Sequence, residues 1–377
     1  MLKFYAKSEP GLEEELIKEL TGFGIRAYYV RPSMVSFEAD EDAVPLLNMF
    51  SRTATRFVIL LGDFRVNSLD EIGEAVREID FRQWIDPAQS FAVRALRIGV
   101  HEFTSMDIAA RVGEEVIRQF GRLRVNLDEP DVVVKAELYD DWLVIGIDTT
   151  GSSLHKRWYR VYHHPAPLRP TIASAMLYHI DWEGEPLLDP FCGSGTILIE
   201  AFLKHHSLPP NIRREFAYQK IKHYHNMTRL QTKFPDALDS SHDIQFSHDI
   251  QLPTLVGIER FEKHVRGAYK NVGELKVYGI EPNIRILKGI AQKLDELVDD
   301  IQIVITNPPF GLRIGKKGKM FHLYRGFVDA LVRKDVPKVC LLTKSILPQS
   351  MLEENYKVRS KWIMYGNLPV RLVFAHS

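Results

Sequence analysis

Leu187-Leu188-Asp189-Pro190-Phe191-Cys192-Gly193-Ser194-Gly195-Thr196 is the stretch on which the reading of this chain turns. Apolar residues run into an acid, a tight Gly-Ser-Gly turn follows, and Thr196-Ile197-Leu198-Ile199-Glu200-Ala201-Phe202 continues with helical periodicity. The order predicts strand, loop, helix. Glycine lets a ligand lie against bare backbone, because no Cβ holds it off. The helix N-terminus behind the loop offers free N–H groups to an anionic ligand.

Three nucleotide-binding loops share this outline. The dinucleotide fingerprint needs a third glycine three residues after the second, where this chain has Leu198. A phosphate-cradling loop needs Gly-Lys-Ser/Thr, and here Thr196 follows Gly195 directly. What remains is the loop shape used for S-adenosyl-L-methionine, with Asp189, Pro190, Phe191, Cys192, Gly193, Ser194, Gly195 and Thr196 as candidate contacts.

A second stretch strengthens that reading. Ile301-Gln302-Ile303-Val304-Ile305-Thr306 has the pattern of a buried strand and runs into Asn307-Pro308-Pro309-Phe310-Gly311. The prolines cannot continue a sheet, so the strand stops there and displays Asn307 and Phe310 at its carboxyl end. In open parallel sheets that end is where ligands bind. Between the two stretches, Leu255 to Ile258 reads as a strand closing on Glu259, an acid placed to accept both hydroxyls of a ribose. Arg260, a further candidate cofactor contact, follows it, Phe261 to Tyr278 reads as the next helix, and Ile284 to Leu287 as a further strand. Phe321 to Arg333, the strand Val336 to Leu342, and a hairpin of Lys357 to Tyr365 with Val370 to Ala375 complete an α/β pattern. Alternating strands and helices imply a doubly wound parallel sheet, and the hairpin contributes one antiparallel strand.

The chain has 377 residues, 45% hydrophobic and 26% charged, which describes a folded globular protein of two or three domains. No apolar run approaches a membrane span, and the N-terminus shows no signal pattern. A monomer in the cytoplasm, without a membrane partner, is expected. Two cysteines, Cys192 and Cys340, exclude a disulfide framework and a cysteine-rich zinc site. With the formal net charge at zero, any surface for nucleic acid must be local.

Residues 1–54 alternate strand and helix: Leu2 to Ala6, a helix from Leu12 to Leu20, strands Ala27 to Val30 and Met34 to Phe37, and a helix from Asp42 to Phe50. Residues 55–150 repeat the pattern. Arg56 to Leu61 is a strand, Ser68 caps a helix to Arg77, Phe91 to Arg97 is a strand, a helix runs to Phe120, and Val132 to Leu138 pairs with Trp142 to Asp148. Phe91-Ala92-Val93-Arg94-Ala95-Leu96-Arg97, the helix start His101-Glu102-Phe103-Thr104-Ser105-Met106-Asp107, and Val125-Asn126-Leu127-Asp128-Glu129-Pro130-Asp131-Val132 resemble a THUMP domain. That resemblance implies an RNA-binding module which, in tRNA-modifying enzymes, grips the 3′ end of the acceptor stem. The unit before it resembles the ferredoxin-like domain that accompanies THUMP. Arg94, Arg97, Arg111 and Arg118 are candidate phosphate contacts on this module.

Residues 151–168 read as a linker. Basic and aromatic residues interleave there in His155-Lys156-Arg157-Trp158-Tyr159-Arg160, and His163-His164-Pro165 follows. Lys156 and Arg157 are candidate RNA contacts. The histidines lack a cysteine or acidic partner at ligand spacing, so no metal is expected. The remaining domain spans 169–377, with a polar, basic insert at about 208–252. Partial helix is expected there at Arg213 to Lys222, and poor order around Asp239 to Gln251. Pro170 opens a helix through Tyr178.

The glycine loop, Glu259, the Asn307-Pro308-Pro309-Phe310 turn and the closing hairpin together resemble class I S-adenosylmethionine-dependent methyltransferases. With the THUMP region, nearly the whole chain resembles the RNA guanine-N2 methyltransferases. The resemblance continues through Gly311-Leu312-Arg313-Ile314-Gly315-Lys316-Lys317. It implies a seven-stranded Rossmann-like fold, mostly parallel, beside the ferredoxin-like and THUMP domains. It implies S-adenosyl-L-methionine as cofactor, S-adenosyl-L-homocysteine as product, and a tRNA substrate methylated at position 6 of the acceptor stem, or alternatively ribosomal RNA. Thr171, in the first turn of the helix over the cofactor, becomes a candidate for the methionine carboxylate. Asn307, Pro308, Pro309 and Phe310 become the catalytic set, and Arg313, Lys316 and Lys317 further phosphate contacts.

Two positions depart from the pattern. Lys288-Gly289-Ile290-Ala291 carries Ile290 where the family has an acid for the adenine amino group, leaving Ile290 and Ala291 to line that end, with Asp295 as a distant substitute. Gln302 stands where an acid commonly begins the fourth strand. The same Asn-Pro-Pro-Phe also serves adenine-N6 DNA and protein-glutamine methyltransferases, and a non-catalytic RNA-binding protein is a further alternative; the RNA-binding half argues against the first two.

Overall fold

The computed structural model describes residues 1–224, 253–311 and 317–377, Lys317 by its backbone alone. Its first half is one eight-stranded sheet with helices on one face. In chain order the elements are β1 (Leu2–Lys7), α1 (Glu13–Gly22), β2 (Ala27–Arg31), β3 (Met34–Ala39), α2 (Ala43–Phe50), β4 (Arg56–Arg65), α3 (Leu69–Arg77), β5 (Ser90–Ile98), α4 (Ser105–Phe120), β6 (Arg124–Val125), β7 (Val132–Tyr139) and β8 (Trp142–Asp148). The strands lie in the order β2-β3-β1-β4-β8-β7-β5-β6, so the ferredoxin-like and THUMP segments share a sheet through the antiparallel pairing of β1 with β4. Period-two alternation explains the core. Phe4 and Ala6, Phe57 and Ile59, and Val134 and Ala136 point into the helical layer, while Tyr5, Val58 and Tyr139 lie on the other face. Ser68 caps α3, and Thr104 with Asp107 forms a capping box on α4.

The second half holds α5 (Pro170–His179), β9 (Leu187–Asp189), α6 (Thr196–His205), β10 (Leu255–Glu259), α7 (Glu262–Glu274), β11 (Ile284–Lys288), α8 (Leu294–Leu297), β12 (Ile303–Thr306), α9 (Lys317–Arg333), β13 (Lys338–Thr343), α10 (Leu347–Leu352), β14 (Lys357–Tyr365) and β15 (Leu368–His376). Their sheet has the order β11-β10-β9-β12-β13-β15-β14. Neighbours are parallel from β11 through β13; β15 is antiparallel to both β13 and β14. The hairpin therefore supplies the one antiparallel strand expected. Strand order reverses beside β9, which opens a crevice at the carboxyl ends of β9, β10 and β12.

The joint between the halves is not an open linker. Leu154, Arg157 and Tyr159 are buried. Arg157, expected on RNA, instead gives its Nε to Glu200 Oε1 of α6 at 3.0 Å. Its Nη1 donates to the Leu154 carbonyl and to Asn211 Oδ1, both at 2.6 Å, and its Nη2 to the Arg52 carbonyl at 2.9 Å. Tyr159 and Ser174 complete the Glu200 carboxylate at 2.8 and 2.6 Å. An arginine with every nitrogen committed below the surface has nothing left for phosphate.

The start of the insert is likewise packed. The helix expected from Arg213 is reduced to a short 3₁₀ turn, Ala217–Lys220. Phe216, Tyr218, Ile221 and Tyr224 join the core of the first half, because their apolar rings outweigh the polar residues between them. The expected poor order from Asp239 to Gln251 falls outside the described residues. Among the described residues no helix is long and apolar enough to cross a membrane, and no His, Cys, Asp and Glu cluster stands ready for a metal.

Candidate active site

Three strand ends build the site. At the end of β9, Asp189 is buried; its Oδ1 accepts from Thr306 Oγ1 at 2.6 Å and from the Phe191 N–H at 3.1 Å. Burial pushes its carboxyl up to about 7, against the opposing pull of those two donors. The glycine loop then turns over β10. Gly193 and Gly195 have φ of 53° and 79°, the left-handed region where a side chain is strained. The Cys192 N–H donates to the Ile258 carbonyl at 3.1 Å, and the Gly195 N–H to the Cys192 carbonyl at 2.8 Å.

Not every loop residue faces the crevice with its side chain. A Cβ placed at Gly257 of β10 would meet Cys192 Sγ at 2.7 Å, so the thiol is packing between loop and strand. That leaves Cys192 its backbone alone for any ligand contact. Phe191 turns towards α9, its ring edge-on to Phe327 at 5.3 Å. Ser194 and Thr196 are buried with their hydroxyls 3.3 Å apart, and Pro190 is buried too.

At the end of β10, Glu259 accepts from the Phe261 N–H at 2.8 Å. Arg260 lies outside, its guanidinium over the exposed Phe261 ring at 5.4 Å. Ile290 is at the surface and Ala291 is buried beneath it. Asp295, the distant substitute for the missing acid, is paired with Arg333 at 2.6 Å and is removed from that role. At the end of β12 the Asn307 Oδ1 is buried and has no partner among the described residues. The Pro309 carbonyl is fixed by Tyr324 Oη at 2.6 Å, which anchors the turn to α9. Thr171, in the first turn of α5, likewise holds a buried hydroxyl without a partner among the described residues.

Sequence reasoning missed a neighbour. The His164 ring lies over Gly193, 3.6 Å from where its Cβ would be, and accepts the Ala166 N–H on Nδ1 at 3.2 Å. Asn271 of α7 ties this segment to the loop: its Oδ1 accepts from the Tyr162 N–H at 2.8 Å and its Nδ2 donates to the Ser194 carbonyl at 3.1 Å. The pair His163-His164 was visible as a motif; nothing in the sequence singled out Asn271.

The expected RNA contacts divide. Arg94 and Lys156 are exposed and Arg97 partly so. Arg111 is corrected: it packs over Gly73 and pairs with Glu115 at 2.7 Å, so it braces α3 against α4. Arg118 is at the surface but is held by the same Glu115 at 2.8 Å. Arg313 and Lys316 lie outside the described residues, and Lys317 begins α9.

A family model described as "RMKL-like, methyltransferase domain" matches residues 157–373. The chain belongs to the RMKL-like methyltransferase family. Its first half matches the RlmL ferredoxin-like domain over residues 3–58 and the THUMP domain over 66–148. Two archaeal relatives of this RMKL-like methyltransferase are each named tRNA (guanine(6)-N2)-methyltransferase. The one from Archaeoglobus fulgidus is 40% identical over 342 residues, 88% of this chain and 80% of the relative. The one from Methanocaldococcus jannaschii is 34% identical over 99% of both chains. A ribosomal RNA large subunit methyltransferase K/L from Vibrio parahaemolyticus is 27% identical over 87% of this chain but only 46% of its own length. Among solved structures, TrmN from Thermus thermophilus superposes with a TM-score of 0.74 at 24% identity over the whole of both chains, which shows a shared fold. S-adenosylmethionine is the cofactor expected of this family. The site fits it: a glycine loop turning through left-handed φ at Gly193 and Gly195, the Glu259 carboxylate at the end of β10, and a buried Thr171 hydroxyl at a helix N-terminus with no partner among the described residues.

Proposed function

We propose that this protein transfers a methyl group to the exocyclic N2 of a guanosine in tRNA, at position 6 of the acceptor stem, acting as a monomer in the cytoplasm. Full-length similarity to the Methanocaldococcus jannaschii enzyme supports the substrate, since 99% of each chain is covered. The observation that carries the chemistry is the buried Asn307 Oδ1, which has no partner among the described residues. A buried acceptor without a donor costs about 1–3 kcal/mol, and a substrate amino group repays that.

S-adenosylmethionine, when bound, supplies a methyl group on a cationic sulfur. The left-handed turn at Gly193 and Gly195 would shape the loop that receives it, Glu259 would accept its ribose hydroxyls, and the Thr171 hydroxyl with the α5 N-terminus would meet its carboxylate. Ile290 gives the adenine an apolar wall. The guanine amino nitrogen is a poor nucleophile, because its lone pair is delocalised into the ring. Asn307 Oδ1 and the Pro308 carbonyl accept its two hydrogens and draw it towards tetrahedral geometry. The prolines, and the Tyr324 bond to Pro309, hold those acceptors rigid, so catalysis is positioning and preorganised dipoles. Phe310 stacks on the base. The target guanine leaves its helix, which costs about a few kcal/mol; phosphate contacts from Arg94, Arg97, Lys156, Arg313, Lys316 and Lys317 offset this. The proton leaves to water after transfer.

The test is methyl transfer from labelled cofactor to unmodified tRNA and, separately, to unmodified ribosomal RNA, with nucleoside analysis and mapping. N2-methylguanosine at position 6 of tRNA is expected. Label in ribosomal RNA alone would keep the chemistry and overturn the substrate.

A further inference from the structure

The terminal hairpin places an aromatic and a cation beside the catalytic edge. Thr306 pairs with Leu341 of β13, and Thr343, two residues on, pairs with Arg371 of β15. Arg371 is therefore level with the Asn307-Pro308 turn. Arg371 in turn faces Trp362 of β14. At about 4.8 Å per strand, Trp362 stands roughly 14 Å along the edge from β12, about four base steps of a nucleic-acid strand at about 3.4 Å each.

Trp362 is 57% exposed, unusual for the largest apolar side chain. It is nevertheless held: the Arg371 guanidinium lies over its ring at 4.7 Å, and Arg371 Nη1 donates to Gln349 Oε1 of α10 at 2.9 Å. Lys344, immediately after β13, is exposed and makes no ion pair among the described residues. The opposite face of β14 is occupied, with Lys361 bound to Glu15 of α1 at 2.7 Å and Ile363 in the core. The first half reaches this same edge, where the Met364 N–H donates to the Pro10 carbonyl at 2.9 Å. The edge at β14 is therefore a place where the two halves of the chain meet.

We propose that Trp362, Arg371 and Lys344 form an RNA contact of the methyltransferase half, for the strand flanking the target guanine. Trp362 offers a π face to a base or ribose, which is sequence-tolerant, and the two cations meet phosphates. This rests on the RNA reading above.

The test is steady-state kinetics on tRNA with Trp362→Ala, Trp362→Phe and Lys344→Ala, alongside S-adenosylhomocysteine binding and thermal melting. Trp362→Ala should raise KM for tRNA about tenfold, the scale of one stacking contact. Its kcat, cofactor affinity and melting temperature should stay unchanged, and Trp362→Phe should recover most of the loss. Lys344→Ala should reduce the salt slope of RNA binding by about one. An unchanged KM in Trp362→Ala would overturn the contact while leaving the enzyme's function standing. So would a joint loss of melting temperature and cofactor binding that Phe restores, which marks packing. A wild-type protein that methylates no tRNA would overturn the RNA reading and this contact with it.

Discussion

Two buried polar regions of this molecule have opposite designs. At the joint between the halves, Arg157 and Glu200 consume each other's hydrogen-bonding capacity, helped by Tyr159, Ser174 and Asn211. At the candidate site, Asn307 Oδ1 and the Thr171 hydroxyl are kept from partners among the described residues, and Asp189 is buried with its carboxyl raised to about 7. A polar group that stabilises the fold is satisfied inside it; one that serves a ligand is left incomplete. Removing a side chain should therefore hurt stability in the first region and function in the second.

The largest effect tests the joint. Arg157→Ala strands the Glu200 carboxylate and should cost roughly 3–5 kcal/mol of unfolding free energy in urea titration. Pairing Arg157→Met with Glu200→Leu should recover most of that. Equal stability of the single variant and wild type would erase the contrast. At the catalytic edge, Asn307→Ala should lower kcat by roughly 10²–10³-fold, the size seen for one preorganised polar group. Its melting temperature should not fall, because no hydrogen bond within the described residues is lost.

Asp189 sharpens the comparison through pH. Its folded pKa is raised above the unfolded value near 3.9, so the folded state holds the proton more tightly. The stabilisation is full below about pH 4 and is lost as pH rises through about 7, at no more than about 1.4 kcal/mol per pH unit. Relative to Asp189→Asn, wild-type stability should thus decline between pH 4 and 7 in parallel denaturation curves. A flat difference would mean that the carboxyl is not raised. The smallest effect belongs to Thr171→Val. It should weaken S-adenosylhomocysteine by about five- to tenfold in calorimetry, one hydrogen bond's worth, and leave folding stability equal or slightly higher. A loss of stability would show that the hydroxyl has a structural partner.

Much of the architecture could be read in advance because it is written locally. Period-two runs such as Phe91 to Arg97 and capping residues such as Ser68 and Thr104 specify elements from their own neighbours. Gly193 and Gly195 declare a tight turn because they alone tolerate its φ, and Pro308 and Pro309 declare where β12 must stop. Those features determined by themselves the Rossmann-like half, the glycine loop and the Asn307 turn. What only the tertiary structure decided is the fate of groups whose partners are remote. Arg157 looked like a phosphate contact until Glu200, 43 residues away, was seen to enclose it. Arg111 looked free until α3 packed against it, and Asp295 looked like a stand-in for the acid missing at Ile290 until Arg333 claimed it. His164 read as linker until the chain laid it over Gly193. A charge or an imidazole has the same local signature whether it faces water, a ligand or a buried counterion. Its role is set by desolvation and by partners that folding alone brings within reach.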